Sequence, residues 1–171
     1  MAIQLIPASV AHLDAPPPAL QRGLLAGYPS AEDGVTELAA IFAIMGAVAR
    51  PSPWADWWAL AENGTIAGLC GFKAPPDADG VVEIAYGSFP RWEGRGVATG
   101  MAAGLVAIAA ANGACMVNAH TLAPDNASAT VLRRNGFNLL GTAIDPEDGE
   151  VWAWQRPLTP PAGAPPAARD R

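Results

Sequence analysis

The sequence predicts one α/β domain of the α+β kind, in which a central mixed, mostly antiparallel sheet of about seven strands is flanked by about four helices. Three observations carry this. An Asn63-Gly64 step separates two apolar runs, the strongest short-range signal for a β-hairpin. An apolar, β-branched run over 81–89 leads through a glycine-containing turn into a long helix-forming stretch. The last third then reads as strand, capped helix and two closing strands. A length of 171 residues suits one such domain and is short for two.

Taken in order, Ile3 to Ile6 is a first strand, and Pro16-Pro17-Pro18 limits any helix begun near Ser9. An irregular helical segment follows. Leu38, Ile41, Phe42 and Met45 recur at helical spacing and predict a helix from Glu37 to Val48, closed by Pro51 and Pro53. Trp54 to Ala61 and Thr65 to Lys73 form the hairpin, and Val81 to Phe89 a further strand ended by Pro90. Val97, Met101, Leu105 and Ile108 mark one face of a long helix. Gly100 and Gly104 leave another face bare, so this helix should lie close against the sheet. Met116 to Thr121 is a strand, and Asn126 to Asn135 a helix with Asp125 or Asn126 as N-cap and Gly136 at its C-terminal end. Phe137 to Ala143 and Val151 to Gln155 finish the sheet. Residues 1–156 are thus expected as one domain, and the Pro/Ala-rich stretch 157–171, which lacks an apolar period, as a disordered tail.

Composition removes several functions. Apolar residues make up 51% and charged residues 15%, which excludes a disordered chain. Ten basic against 16 acidic side chains give a net charge of -6, and Lys73 is the sole lysine, so nucleic acid is not an expected partner. The run from Val97 to Val117 carries no charge, yet it is Ala- and Gly-rich and broken by Asn112-Gly113, so no membrane span is expected. The N-terminus lacks the basic and apolar regions of a signal peptide. Cys70 and Cys115 stand far apart, outside any C-x-x-C pair, so neither a disulfide framework nor a metal site is indicated. A cytoplasmic protein without a metal is the expectation.

The chemistry lies in Arg91-Trp92-Glu93-Gly94-Arg95-Gly96-Val97-Ala98-Thr99, a turn that leaves a strand and opens a helix. Free N–H groups and the positive end of the macrodipole meet there, and glycines let an anion approach the backbone. A Walker loop fails on spacing: counted from Gly94, Thr99 and Gly100 stand where glycine and lysine are required. A dinucleotide fingerprint fails because Thr99 replaces the third glycine.

The R-x-x-G-x-G pattern that remains resembles the pyrophosphate-binding loop of the GNAT superfamily of N-acetyltransferases. Val82-Glu83-Ile84-Ala85-Tyr86 resembles that family's fourth strand, and Asn126-Ala127-Ser128 through Asn135-Gly136-Phe137 its N-x-x-S...GF helix, in the branch containing ribosomal-protein N-terminal acetyltransferases. The resemblance implies the GNAT fold, splayed between strands four and five, and direct transfer of an acetyl group from acetyl-CoA to a primary amine. It also implies that Gly94, Arg95, Gly96, Val97 and Ala98 hold the cofactor through their amides, joined by Phe89, Arg91, Thr99, Asn126 and Arg133.

The same resemblance makes the Gly87 amide the oxyanion donor and Glu83 the general base. Between Val82 and Ile84 on a central strand, Glu83 should be partly desolvated, which favours accepting a proton, although a solvated outward face is the alternative. Gly87 reads equally as a plain bulge. The family's acid position is Leu132 here, so Ser128, His120 and Tyr86 are the candidate acids; His120 reads also as a structural histidine, and Asn126 as a helix cap. Besides the enzyme, a catalytically weak CoA or acyl-CoA sensor fits the sequence. The partners expected are CoA and a small amine or exposed protein N-terminus; neither nucleic acid nor membrane is expected, and a homodimer is left open.

Overall fold

The structure, a computed structural model, describes residues 2–9, 11–28, 30, 32–37, 39, 50–146 and 148–158. The elements in order are β1 (Ile3–Pro7), α1 (Ala11–Asp14), α2 (Pro18–Gly27), β2 (Asp56–Ala61), β3 (Ile66–Phe72), β4 (Val81–Ser88), a 3-10 turn (Pro90–Trp92), α3 (Val97–Ala111), β5 (Met116–Thr121), α4 (Ala127–Arg134), β6 (Asn138–Asp145) and β7 (Gly149–Pro157). Residues 32–37 are also helical; the rest of the helix expected up to Val48 lies, apart from 39, outside the described residues. So does the expected tail from 159 onward. The domain itself reaches two residues past the expected boundary: β7 ends at Pro157, and Leu158 is buried with its N–H donating to the Cys115 carbonyl at 2.9 Å.

Seven strands form one sheet in the order β1-β2-β3-β4-β5-β7-β6. Every neighbouring pair is antiparallel except β4 and β5, which are parallel. That parallel pair is short: it joins Val81 to Met116, Val82 to Val117 and Glu83 to Asn118, and stops. β4 continues to Ser88 and β5 to Thr121 without further pairing, so the sheet opens from Glu83 onward as the resemblance implied.

α3 covers one face. Met101 and Leu105 are fully buried against Cys70, Phe72, Val82, Ile84 and Val117, each such side chain contributing about 1.5–3 kcal/mol. The bare glycine face seats the helix on β1: a Cβ on Gly100 or Gly104 would stand 2.8 Å from Ile3 or 2.7 Å from Leu5. α4 packs on the same side through Ala129 and Leu132. α2 closes the other face, where Leu20, Leu24, Trp58, Ile66, Leu69 and Phe89 form a second cluster. The two helical layers fix the ends of β4 and the turn after it, and the site is built from these parts.

Candidate active site

The turn after β4 is shaped by two residues with positive φ, Gly94 at 70° and Gly96 at 83°. An L side chain rarely adopts this region. Gly96 is the N-cap of α3, so Val97, Ala98 and Thr99 open the helix. Among the described residues no backbone carbonyl receives the amides of Gly94, Gly96, Val97, Ala98 or Thr99; the first helical bond comes from Gly100 to Gly96. Arg95 departs from expectation, since its amide turns back to the Trp92 carbonyl at 3.4 Å and its guanidinium lies over the Trp92 ring. Cβ positions on Gly94 and Gly96 meet nothing within 4 Å, so the cradle is open to an anion.

Beside this cradle lies a cleft of about 590 Å³, walled by the end of β4, the start of α3 and one face of α4. Ala127, Thr130, Val131 and Arg134 line it, as positions 0, 3, 4 and 7 of a helix must when they share a face. The contribution of α4 is therefore Arg134. The arginine expected here, Arg133, projects to the other side, its guanidinium 5.0 Å from the Trp154 ring centre and donating to the Pro124 carbonyl. Asn126 is likewise engaged as a cap, accepting from the Ala129 amide at 2.8 Å. Arg91 is exposed on the 3-10 turn and does not line the cleft, and Phe89 is buried on the opposite side against Tyr28, ring centres 5.5 Å apart. Trp92 lines the cleft, and its buried indole N–H has no partner among the described residues.

The register of β3 and β4 turns the Gly87 amide toward β3, away from the opening. Lys73 donates its amide to the Glu83 carbonyl and Phe89 donates to Ala67, with an unbroken antiparallel register between these points. Amides on one strand alternate in direction, so those of Glu83, Ala85, Gly87 and Phe89 face β3. The Gly87 carbonyl agrees, standing 2.5 Å from where a Cβ on Gly68 would be. The amides that look into the opening between β4 and β5 are those of Ile84, Tyr86 and Ser88. Tyr86, Gly87 and Ser88 all line the cleft.

Glu83 lies where the opening begins, with its side chain 25% exposed. Its Oε1 is 3.0 Å from His120 Nδ1 and 2.8 Å from Lys73 Nζ. Lys73 also reaches Asp145 at 3.5 Å, and Asp145 stands 4.0 Å from His120. The carboxylate is thus held in a four-membered network, not in the apolar setting that Val82 and Ile84 suggested. Burial acts to lower the Lys73 pKa, but its pairs with Glu83 and Asp145 outweigh this and raise it. Glu83, His120 and Asp145 place three potential ligand atoms within 4.8 Å of one another, and the lysine ammonium stands among them.

Of the candidate acids, Ser128 lines the cleft and His120 stays beside Glu83. Tyr86 borders both the cleft and a second cavity, and donates its hydroxyl to the Ser128 carbonyl at 3.4 Å. Burial pushes its pKa up, so the phenol keeps its proton at neutral pH. Leu132 is fully buried in the core. Glu93 lines the cleft as well, whereas Glu83 does not. Burial raises the Cys70 thiol, which removes it as a nucleophile, whereas Cys115 is exposed.

An opened mixed sheet with an anion cradle at the start of its central helix defines an acyl-CoA-type transferase architecture. The sequence match agrees: residues 18–138 match the acetyltransferase (GNAT) domain, and the chain belongs to that family. Among solved structures, it resembles a GNAT superfamily phosphinothricin acetyltransferase from Sinorhizobium meliloti in complex with acetyl-CoA, at 22% identity, TM-score 0.61 and coverage of 98% of this chain and 97% of that one. It also resembles the microcin C7 self-immunity acetyltransferase MccE in complex with acetyl-CoA and AMP (16% identity, TM-score 0.63, 92% and 93% covered). A third is RimL, the ribosomal L7/L12 alpha-N-protein acetyltransferase, in complex with coenzyme A (18% identity, TM-score 0.59, 92% and 94% covered). No sequence match was found among curated proteins. No helix among the described residues is long and apolar enough to cross a membrane.

Proposed function

We propose that the protein transfers the acetyl group of acetyl-CoA directly to a primary amine, and that this takes place in the cytoplasm. The observation that carries this reading is the row of unbonded amides at Gly94, Gly96, Val97, Ala98 and Thr99, opening on a cleft that runs to the gap between β4 and β5. The residues fit the cosubstrate. The amides and Arg134 suit the pyrophosphate, the unpartnered Trp92 N–H offers a further donor, and the inward amides of Tyr86 and Ser88 suit the peptide-like arm and the acyl oxygen.

Acetyl-CoA, when bound, supplies a thioester carbonyl that a neutral amine can attack. In this reading Glu83 takes the amine proton, directly or through His120, as the nitrogen–carbon bond forms and the carbon–sulfur bond breaks. Tyr86, whose hydroxyl stands at the Ser128 turn, returns a proton to the departing sulfur. Calorimetry with acetyl-CoA, followed by CoA thiol release against a panel of primary amines, tests the proposal. Tight binding with amine-dependent release supports it. Tight binding without release from any amine supports a CoA-binding sensor, the reading favoured by Leu132 at the family's acid position and by the lysine already seated on Glu83.

A further inference from the structure

The odd-numbered face of β4 carries Glu83, Ala85 and Gly87 in a row, with Phe89 just past its end, and β4 lies between β3 and the opening. At about 3.3 Å per residue, Glu83 and Gly87 are roughly 13 Å apart along the strand. Between them the floor has only a methyl and a hydrogen, and a Cβ on Gly87 would meet nothing within 4 Å. The result is a cavity of about 250 Å³ that meets the cofactor cleft at Tyr86, Gly87 and Ser88 and is walled beyond them by Tyr28, Leu69 and Phe89. A dry apolar cavity of ~150 Å³ already takes a benzene ring. This one has room for a ring with a short arm.

Its charge setting is selective. No charged side chain lines it among the described residues, and the nearby Arg50 is paired with Asp56 at 2.9 Å. The charges at its end toward Glu83 are those of Glu83, Asp145 and Lys73, a sum of one negative before His120 is counted. An ammonium is drawn to that end. A carboxylate, a phosphinate or a second ammonium lying in the trough would be desolvated against Leu69 and Phe89 with no opposite charge among the described lining residues to offset that cost.

Resting on the acetyl-transfer reading, we infer that the acceptor is a primary amine on a compact apolar body, an arylethylamine or a branched alkylamine. The body packs among Tyr28, Leu69 and Phe89, above Ala85 and Gly87, and the nitrogen meets Glu83 and His120. Polyamines and acidic amino acids are poor acceptors by the same geometry.

The test compares 2-phenylethylamine, 3-methylbutylamine, spermidine and glutamate by CoA release, and measures their binding to the CoA-saturated protein by calorimetry. The expected result is a kcat/KM at least tenfold higher for the two apolar amines. Ala85→Leu, which fills the trough from an exposed strand position, should raise KM for 2-phenylethylamine at least tenfold while acetyl-CoA affinity stays within twofold. Preferential turnover of spermidine or glutamate, or an Ala85→Leu variant with unchanged KM, overturns the inference and leaves acetyl transfer intact. Binding of 2-phenylethylamine without release of CoA from any amine supports the pocket and overturns the transfer reading. No binding and no release overturns both.

Discussion

Lys73 Nζ stands 2.8 Å from Glu83 Oε1, so the sole lysine of the chain is seated on the carboxylate proposed to receive the acceptor's proton. Lys73 directly follows β3 and donates its amide to the carbonyl of Glu83 on β4, which makes the pair a cross-strand ion pair as well as part of the site. With Asp145 on its other side, the ammonium bridges two carboxylates that would otherwise repel each other.

This bridge predicts a pH dependence of stability. The folded-state pKa of Lys73 is raised, so its contribution is complete below the unfolded value of about 10.4 and fades as pH climbs through the folded one. Denaturant melts of wild type and Lys73→Met should differ by a constant amount from pH 7 to 10 and converge above that. A gap that widens above pH 10 would contradict the bridge. With Lys73 43% exposed, the gap is expected to be small.

The cradle predicts that Gly96→Asp and Gly96→Asn part company. Both carry the strain of a side chain at φ 83°, but only Asp sets a negative charge against the anion. Acetyl-CoA affinity measured by calorimetry should fall at least tenfold further in Gly96→Asp than in Gly96→Asn. Equal affinities would place the pyrophosphate elsewhere.

The two neighbouring arginines of α4 are expected to behave differently. Arg134→Ala should weaken acetyl-CoA binding about tenfold, the ~1.4 kcal/mol of one exposed charged contact. Arg133→Ala should leave binding unchanged and cost about 0.5–1 kcal/mol of stability through its contact with Trp154. Calorimetry and denaturant melts on both variants decide the matter.

Asn126→Ala should lower stability by about 1 kcal/mol, since it removes the acceptor of the Ala129 amide, and leave acetyl-CoA affinity within twofold. A loss of affinity with unchanged stability would assign Asn126 to the cofactor.

The parts legible in the sequence were those written locally. The Asn63-Gly64 turn, the glycines at 94 and 96, the bare Gly100/Gly104 face and the Asn126 cap each depend on residues within one or two turns of each other. The network around Glu83 was not legible. Lys73, just past β3, and Asp145, at the end of β6, lie 72 residues apart at strands that are not neighbours, and only the tertiary fold brings them within 3.5 Å. The Gly87 assignment turned on parity. A run such as Val82 to Tyr86 announces a strand, but which of its amides face the opening is settled by the register with β3. Arg133 and Arg134 differ in the same way, by the 100° that separates adjacent residues on a helix, and the sequence alone does not say which side meets the cleft.

The central claim is that Glu83 accepts the proton of an amine attacking acetyl-CoA bound in the cleft. Its most direct test is amine-dependent CoA release by wild type and Glu83→Gln at saturating acetyl-CoA, with cofactor affinity measured on the same preparations. The account predicts turnover in the wild type, a fall of about 10²-fold or more in the variant, and equal affinity for acetyl-CoA in both. Equal turnover in Glu83→Gln, or no release from wild type with any primary amine, would contradict it.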